Sequence, residues 1–518
     1  MSHSHFQHHF LYLPTLGISL DTSKVPFASS FFEEMQPRIT QALEDMSALE
    51  AGSIANPDEQ RMVGHYWLRN HALAPNEDIR DALRENEQKR KDFAEHVLNA
   101  ENGKTFKNLL CIGIGGSALG PQLLSDAFGA ERNGLQPFFI DNTDPDGIGR
   151  VLRRLEPELA QTLVMVTSKS GSTPEPRNGL AEVRAVFRKK NLPFAPQAVA
   201  VTCEGSALDR LAREEQWLAR FPMWDWVGGR TSLFSNVGLL PAALQGILTE
   251  NLLQGAAEMD TFTRETDVFS NPALMLALSW YVCTDGRGKR NMVVLPYKDA
   301  LVLFPKYLQQ LVMESLGKKL DLDGNVVHQG LTVYGNKGST DQHAYVQQLR
   351  DGLEDAFVTF IEVQKSSRLS SVEVEPGLTS GDFLEGFFLG TRAALSDVQR
   401  PSITITLKEL NERSLGALVA LFERAVGFYA SFIHINAYHQ PGVEAGKKAA
   451  KRYLELKKSL ISYLSEHRAE TFSVETLASA LKISDTEDVF KIVEYLAANE
   501  RIIRHTASPL TQSTYGIE

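Results

Sequence analysis

Four short apolar runs, "LLCIGIG", "PFFIDN", "TLVMVTS" and "QAVAVTC", alternate with stretches of helical spacing between residues 109 and 203. A run that is apolar on both faces needs cover on both faces. Strand–helix alternation supplies it as a parallel, doubly wound sheet. A mainly helical stretch follows, from "SNVGLLPAALQGILTENLLQGAAEMD" to "NPALMLALSWYVC", and then a second strand set, "NMVVLPY", "AFVTFIEVQ" and "SITITL". Two α/β layers in tandem are therefore expected. Residues 28–100 read as charged helices, and 411–466 as mostly helical around the polar knot "NAYHQPGVEAGKK". The tail has two short amphipathic patterns, "SVETLASALKI" and "SDTEDVFKIVEYLAANERI", the second opened by a capping box Ser484-x-x-Glu487. With "IIRHT" and "TYGIE" as a ribbon, it reads as winged-helix-like.

Charge and cysteine usage narrow the function classes. The 518 residues carry a formal net charge of −11, which argues against a general nucleic-acid or anionic-membrane surface. The tail holds four Lys/Arg against seven Asp/Glu between 471 and 518, a net of −3, so major-groove reading is not expected of it. Cys111, Cys203 and Cys283 lack metal-ligand spacing, which fits a reduced, cytoplasmic setting with no metal site. No apolar run of bilayer length is expected. The start has no Lys or Arg ahead of its apolar patch, unlike a secretory signal. His3, His5, His8 and His9 are read as part of a disordered end.

The loop "SKSGSTPE" joins the end of one strand run to the start of a helix pattern. Ser168, Ser170, Ser172 and Thr173 supply hydroxyls and Lys169 a cation. Thr173 is placed to N-cap the helix, with Pro174 in its first position and Glu175 in its first turn. Free backbone N–H groups and the helix dipole converge at such a point, which suits a small anion. The first strand run leads into "GIGGSALG", whose Gly113-x-Gly115-x-x-Ala118 fits a dinucleotide fingerprint, with Asp141 as the ribose acid. This supports an NAD-dependent oxidoreductase as an alternative, but Asp141 comes late and the hydroxyl loop is left unexplained. Two adjacent anion-suited loops fit a phosphorylated sugar better.

The segments "CIGIGGSALGPQLL", "TSKSGSTPEP", "GGRTSLFSNVGLL", "QLVMESLGKK", "GSTDQHAY" and "NAYHQPGVEAGKKAAKR", in this order, resemble the glucose-6-phosphate isomerase (phosphoglucose isomerase) family. "GGRTSLFSNVGLLP" and "VEAGKKAAKR" are highly specific for it, whereas "SKSGST" is shared by all sugar-isomerase (SIS) domains. The resemblance implies two SIS domains, each a parallel sheet sandwiched by helices. They would span 46–245 and 246–435, after an N-terminal extension at 1–45. A C-terminal helical arm at 436–466 and the winged-helix-like tail at 467–518 would follow; the tail lies outside the family core. It also implies a homodimer with its site near the subunit interface.

The implied activity is reversible isomerisation of glucose 6-phosphate and fructose 6-phosphate, a step of glycolysis and gluconeogenesis that requires no cofactor or metal. By family position, Ser168, Lys169, Ser170 and Thr173 would hold the phosphate, with Ser117 near the sugar. Glu314 would be the C1/C2 base, sharing a helix face with Gln310 and flanked by apolar Leu311 and Met313, surroundings expected to raise its basicity. His343 and Lys447, rather than Lys448, would open the ring. Arg230 would stabilise the enediolate, and Gln440 would contact substrate. Glu175 matches a family acid, though capping alone accounts for it. A sugar-phosphate-sensing regulator built from SIS domains and the winged tail is a further alternative. The acidic tail and the joint presence of Glu314, His343 and Arg230 count against it.

Overall fold

The structure, a computed structural model, describes residues 3–100, 105–129, 133–366 and 372–517; the side chains of 443–445 and 447 lie outside the described residues. The chain divides into a unit ending at His439 and another beginning at Gln440.

The larger unit opens with a helix, His3–His8, and two strands, β1 (Phe10–Leu13) and β2 (Ile18–Lys24). The first sheet is made of β3 (Asn108–Ile112), β4 (Gln136–Ile140), β5 (Thr162–Thr167), β6 (Ala198–Thr202) and β7 (Ala219–Pro222). All five are parallel, in the order β4-β3-β5-β6-β7. The continuous apolar runs have the cause expected of them. Leu110 and Ile112 enter one core with Val166 and Ala200, while Leu109 and Cys111 enter another with Met165 and Val201 on the opposite face. By chain rank this is the doubly wound order 2-1-3-4-5. Its topological switch lies between β3 and β5, and ligands bind outside the carboxyl ends of the strands there. The two loops singled out in the sequence leave those two strands.

The second sheet has β8 (Asn291–Pro296), β11 (Val333–Tyr334), β12 (Ala356–Lys365) and β15 (Ser402–Glu409) parallel to one another, and β2 and β1 extend it beyond β15. β2 lies antiparallel on β15, and β1 on β2. Two small hairpins, β9 (Lys318–Leu320) with β10 (Val326–Gln329) and β13 (Glu373–Glu375) with β14 (Leu378–Thr379), stand apart from it.

The start of the chain is thus an edge of the second sheet rather than a disordered end. Asp21 of β2 pairs with Arg392, and His9 is only 8% exposed, stacked on Phe27. Burial pushes the His9 pKa down to about 4. The sequence hides these strands because β1 is four residues long and β2 carries Asp, Thr, Ser and Lys.

The helix Glu412–Phe432 corrects a second expectation. It is long and apolar enough to span a bilayer, yet 89% of its apolar window is buried, as in a core helix of a folded domain. It packs with helices Phe31–Glu50, Thr249–Phe262 and Pro272–Thr284. Buried charges tie these helices together. Asp260 accepts from Arg69 at 2.7 Å and Arg424 at 2.9 Å, while Arg69 also meets Glu423 and Arg424 meets Glu50. Each charge has an opposite partner, the condition under which buried ions are tolerated.

In the second unit the helix Pro441–Glu466 shares one core with the tail. Leu456, Leu460 and Leu464 pack with Leu477, Val493 and Tyr515. The tail holds β16 (Phe472–Ser473), helices Val474–Ala480 and Thr486–Ala498, and the ribbon β17 (Ile503–His505) with β18 (Thr514–Gly516). Asp485 rather than Ser484 caps the second tail helix, accepting from Glu487 N at 3.0 Å, because that helix begins at Thr486.

Candidate active site

The hydroxyl loop follows β5. Ser168 is buried; its Oγ accepts from Gly171 N at 3.1 Å, and its carbonyl accepts from Thr202 Oγ1 at 2.7 Å. Ser170 and Ser172 hydroxyls lie 2.9 Å apart. Gly171 has φ +70°, and a Cβ there would stand 2.3 Å from Leu208 N, so the turn requires glycine. Thr173 occupies the N-cap position of helix Pro174–Lys189, with Pro174 and Glu175 as expected, but its side chain makes no capping bond. That departs from the capping role read in the sequence.

Lys169 turns away from this loop. Its Nζ donates to the carbonyls of Asp225 at 2.9 Å and Val227 at 3.2 Å, just ahead of the Gly228-Gly229-Arg230 turn. Burial, and then the nearby Arg61, hold its pKa below the ordinary lysine value. Lys169 and Arg230 line one cleft with Asn56, Glu59, Arg61 and Asp225. Arg61 and Asp225 went unremarked in the sequence, where nothing separates them from solvated surface charges.

The glycine loop after β3 has a structural task. A Cβ on Gly116 would lie 1.9 Å from Gly229 O, so this loop and the arginine-bearing turn meet backbone to backbone. Ser232 Oγ joins them, donating to Gly229 O at 2.7 Å and Gly116 O at 3.3 Å. Ser117 is half-buried in the helix that begins at Gly116, and Gln310 Nε2 lies 3.2 Å from where a Gly115 Cβ would stand. Asp141 holds Gln122 Nε2 at 2.8 Å, so the carboxylate assigned to a ribose in the dinucleotide alternative is already engaged.

Arg230 is 4% exposed. It donates to Ala437 O and His439 O, each at 3.1 Å, and to Ser315 Oγ at 3.3 Å, and lies 3.5 Å from Glu314 Oε1. Burial pulls its pKa down and Glu314 opposes that pull. Glu314 ends a π-helical turn, Gln309–Glu314, that continues the helix Phe304–Leu308. Such turns are rare and frequent at functional sites. The flank of Glu314 is only partly apolar: Leu311 is buried, Met313 is exposed, the Arg230 guanidinium lies 3.5 Å from the carboxylate, and the Lys318 ammonium bonds the Glu314 backbone carbonyl.

His343 ends the turn Thr340–His343 and is exposed. Among the described residues no hydrogen bond or ion pair joins it to Glu314 or Arg230. The loop that carries it is anchored by buried Asp341, which accepts from Asn336 N at 2.8 Å, Lys337 N at 3.1 Å and the Tyr345 hydroxyl. Gln440 and Lys447 belong to the second unit. Gln440 caps the helix Pro441–Glu466 without a side-chain bond, and the Lys447 side chain lies outside the described residues.

Comparison with known proteins identifies the family. The phosphoglucose isomerase family model matches residues 35–396 and 391–474. The glucose-6-phosphate isomerase of Geobacter sulfurreducens is 54% identical over 517 residues, 98% of each chain. That of Nostoc punctiforme is 54% identical over 491 residues, 94% of this chain and 93% of its own. The crystal structure of a glucose-6-phosphate isomerase from Chlamydia trachomatis superposes with a TM-score of 0.80 at 27% identity, covering 88% of this chain and 92% of the other. With a family model spanning both α/β regions and relatives more than half identical over nearly the whole length, the chain belongs to the phosphoglucose isomerase family.

Proposed function

We propose that the chain catalyses the reversible isomerisation of D-glucose 6-phosphate to D-fructose 6-phosphate, by ring opening and a C2/C1 proton transfer through a cis-enediol. The observation that carries this is the pairing of Arg230 and Glu314 at 3.5 Å, beside two loops suited to a phosphorylated sugar at the switch of a doubly wound sheet.

The phosphate is gripped by Ser168, Ser170 and Thr173, with Lys169 close by, at the N-terminus of helix Pro174–Lys189. Ser117 and Gln310 face the sugar from the glycine-loop side. His343 and Lys447 serve ring opening; an imidazole titrates near neutrality and suits proton transfer to the ring oxygen. Glu314 takes the proton from C2 and returns it to C1. Arg230, charged throughout, holds the negative charge that develops on the C1 and C2 oxygens. Gln440 contacts substrate, and Glu175 supports the phosphate loop.

The family resemblance supports a homodimeric enzyme whose site lies near the subunit interface. The free cysteines Cys111, Cys203 and Cys283 support a reducing, cytoplasmic setting.

A coupled assay with fructose 6-phosphate in the presence of a chelator tests the activity. Product formation is expected, and in heavy water the aldose is expected to carry solvent deuterium at C2. Absence of turnover by folded protein overturns the proposal. Complete transfer of a C1 hydrogen of the ketose to C2 of the aldose, with no solvent exchange, overturns the enediol route.

A further inference from the structure

Two adjacent lysines, Lys318 and Lys319, follow the π turn, and only one of them reaches solvent. Lys319 is exposed, whereas Lys318 is 3% exposed. The Lys318 ammonium donates to Glu314 O at 2.8 Å and Ser315 O at 2.7 Å. These are terminal carbonyls of the helix, which a helix leaves without internal partners. Among the described residues its hydrogen bonds go to these carbonyls and to no carboxylate. Burying an ammonium without a paired carboxylate is costly. Burial and the Arg230 guanidinium push its pKa down to about 7, opposed by Glu314 and Asp58. His439, itself held low by burial, is a further titratable neighbour among the described residues. A solvated lysine incurs no such cost, so stability alone does not account for this placement.

We propose that Lys318 is a positioning residue for Glu314: its side chain ties down the end of the π turn from which the carboxylate projects and, with Arg230, sets the charge around it. The inference rests on the assignment of Glu314 as the C1/C2 base. A π turn is a local irregularity in the helix ladder, and the Lys318 side chain supplies partners for the carbonyls at its end. A base that moves a proton between neighbouring carbons has little tolerance: a 1 Å displacement can lower a rate by about 10²-fold. The bonds from Lys318 go to backbone, so they do not change as the carboxylate gains and loses its proton. A deprotonated amine still has two N–H donors, enough for both carbonyls, so the tie outlasts the charge.

The test compares Lys318→Met, Lys318→Gln and Lys318→Arg with the wild type. It reads kcat, KM, inhibition by inorganic phosphate, and the ratio of C2 deuterium exchange to isomerisation. That ratio does not depend on the fraction of folded enzyme, so a merely structural loss leaves it unmoved. In Lys318→Met we expect kcat to fall by about 10²-fold, with phosphate inhibition retained and the ratio shifted. Lys318→Arg, which keeps charge and donors, is expected to restore the ratio. Should Lys318→Met not accumulate as folded protein, Lys318→Gln is read in the same way. A wild-type ratio in the folded neutral variants overturns the proposal. Failure of the underlying assignment looks different: Glu314→Gln would then keep exchanging deuterium.

Discussion

The hydroxyl loop and the Arg230–Glu314–Lys318 cluster serve one small substrate in the proposed mechanism, yet they are built in opposite ways. The loop's hydroxyls are local: those of Ser168, Ser170 and Ser172 bond to groups within the loop, and Ser170 and Ser172 stay near solvent. The cluster joins segments far apart in the chain, the turn Gly229–Thr231, the end of the π turn, and the stretch through Ala437 and His439, and its cations are buried. The difference follows from what each meets. A phosphate does not change during the reaction, so exposed donors at a helix N-terminus suffice. A proton in transit and a developing oxyanion need dipoles and charges fixed before the event, away from water, where they act most strongly.

The sharpest way to break this contrast is Glu314→Gln. The amide keeps nearly the same shape and can still face Arg230, but it is no base. Isomerisation is expected to fall by about 10²–10⁴-fold, with C2 deuterium exchange lost and inhibition by phosphate retained. Near-normal exchange in folded variant would move the base elsewhere and dissolve the division of labour between the two regions.

Arg230→Lys is expected to rank next. Lysine keeps the charge but not the fork that reaches two carbonyls and Glu314 at once. We expect kcat to fall by about 10²–10³-fold, the range for losing a fixed oxyanion donor. Leaving a buried carbonyl unpaired adds a loss of about 1–3 kcal/mol in stability, to be read from denaturant unfolding. Full kcat in the lysine variant would mean that charge alone suffices and that the buried geometry of the cluster is incidental.

The two residues Lys169 and Ser170 divide the comparison more finely. Ser170→Ala is expected to raise KM with kcat nearly unchanged, because a contact equal in ground and transition state is uniform binding. Lys169→Met is expected to change both, since Lys169 also holds the carbonyls of Asp225 and Val227 ahead of the Arg230 turn. Identical kinetic signatures for the two variants would place Lys169 wholly in the phosphate grip.

The same contrast explains what the sequence disclosed. β3, β5 and β6 are legible because both faces are buried and their interior positions are apolar. β7 is not, because its Arg220 pairs with Asp209 and breaks the run. The hydroxyl loop is legible as an anion site because its chemistry is local. Glu314 and Arg230 could be assigned only through the family resemblance, since no spacing rule links residues so distant in the chain. The π turn leaves no periodic signature, and Lys318 is distinguished from Lys319 by burial alone. Edge strands and long-range charge clusters share this property: the signal lies in the partner, which a single segment does not contain.

The smallest kinetic effect is expected in the tail. A cut near residue 466, the boundary expected between arm and tail, would strip the partners from Leu456, Leu460 and Leu464, which share a core with Leu477, Val493 and Tyr515. Loss of activity after such a cut would report exposed apolar surface as readily as a role in catalysis. Leu477→Ala asks the question without that ambiguity. Leu477 is fully buried, so the cavity left behind should cost about 2–5 kcal/mol within the second unit. A calorimetric scan is expected to show an earlier transition than in the wild type. Below that transition kcat and KM are expected to match the wild type, because the substitution leaves every residue assigned to chemistry in place. A fall in kcat well below the transition would show that the packing of the tail core matters to the chemistry as well as to stability.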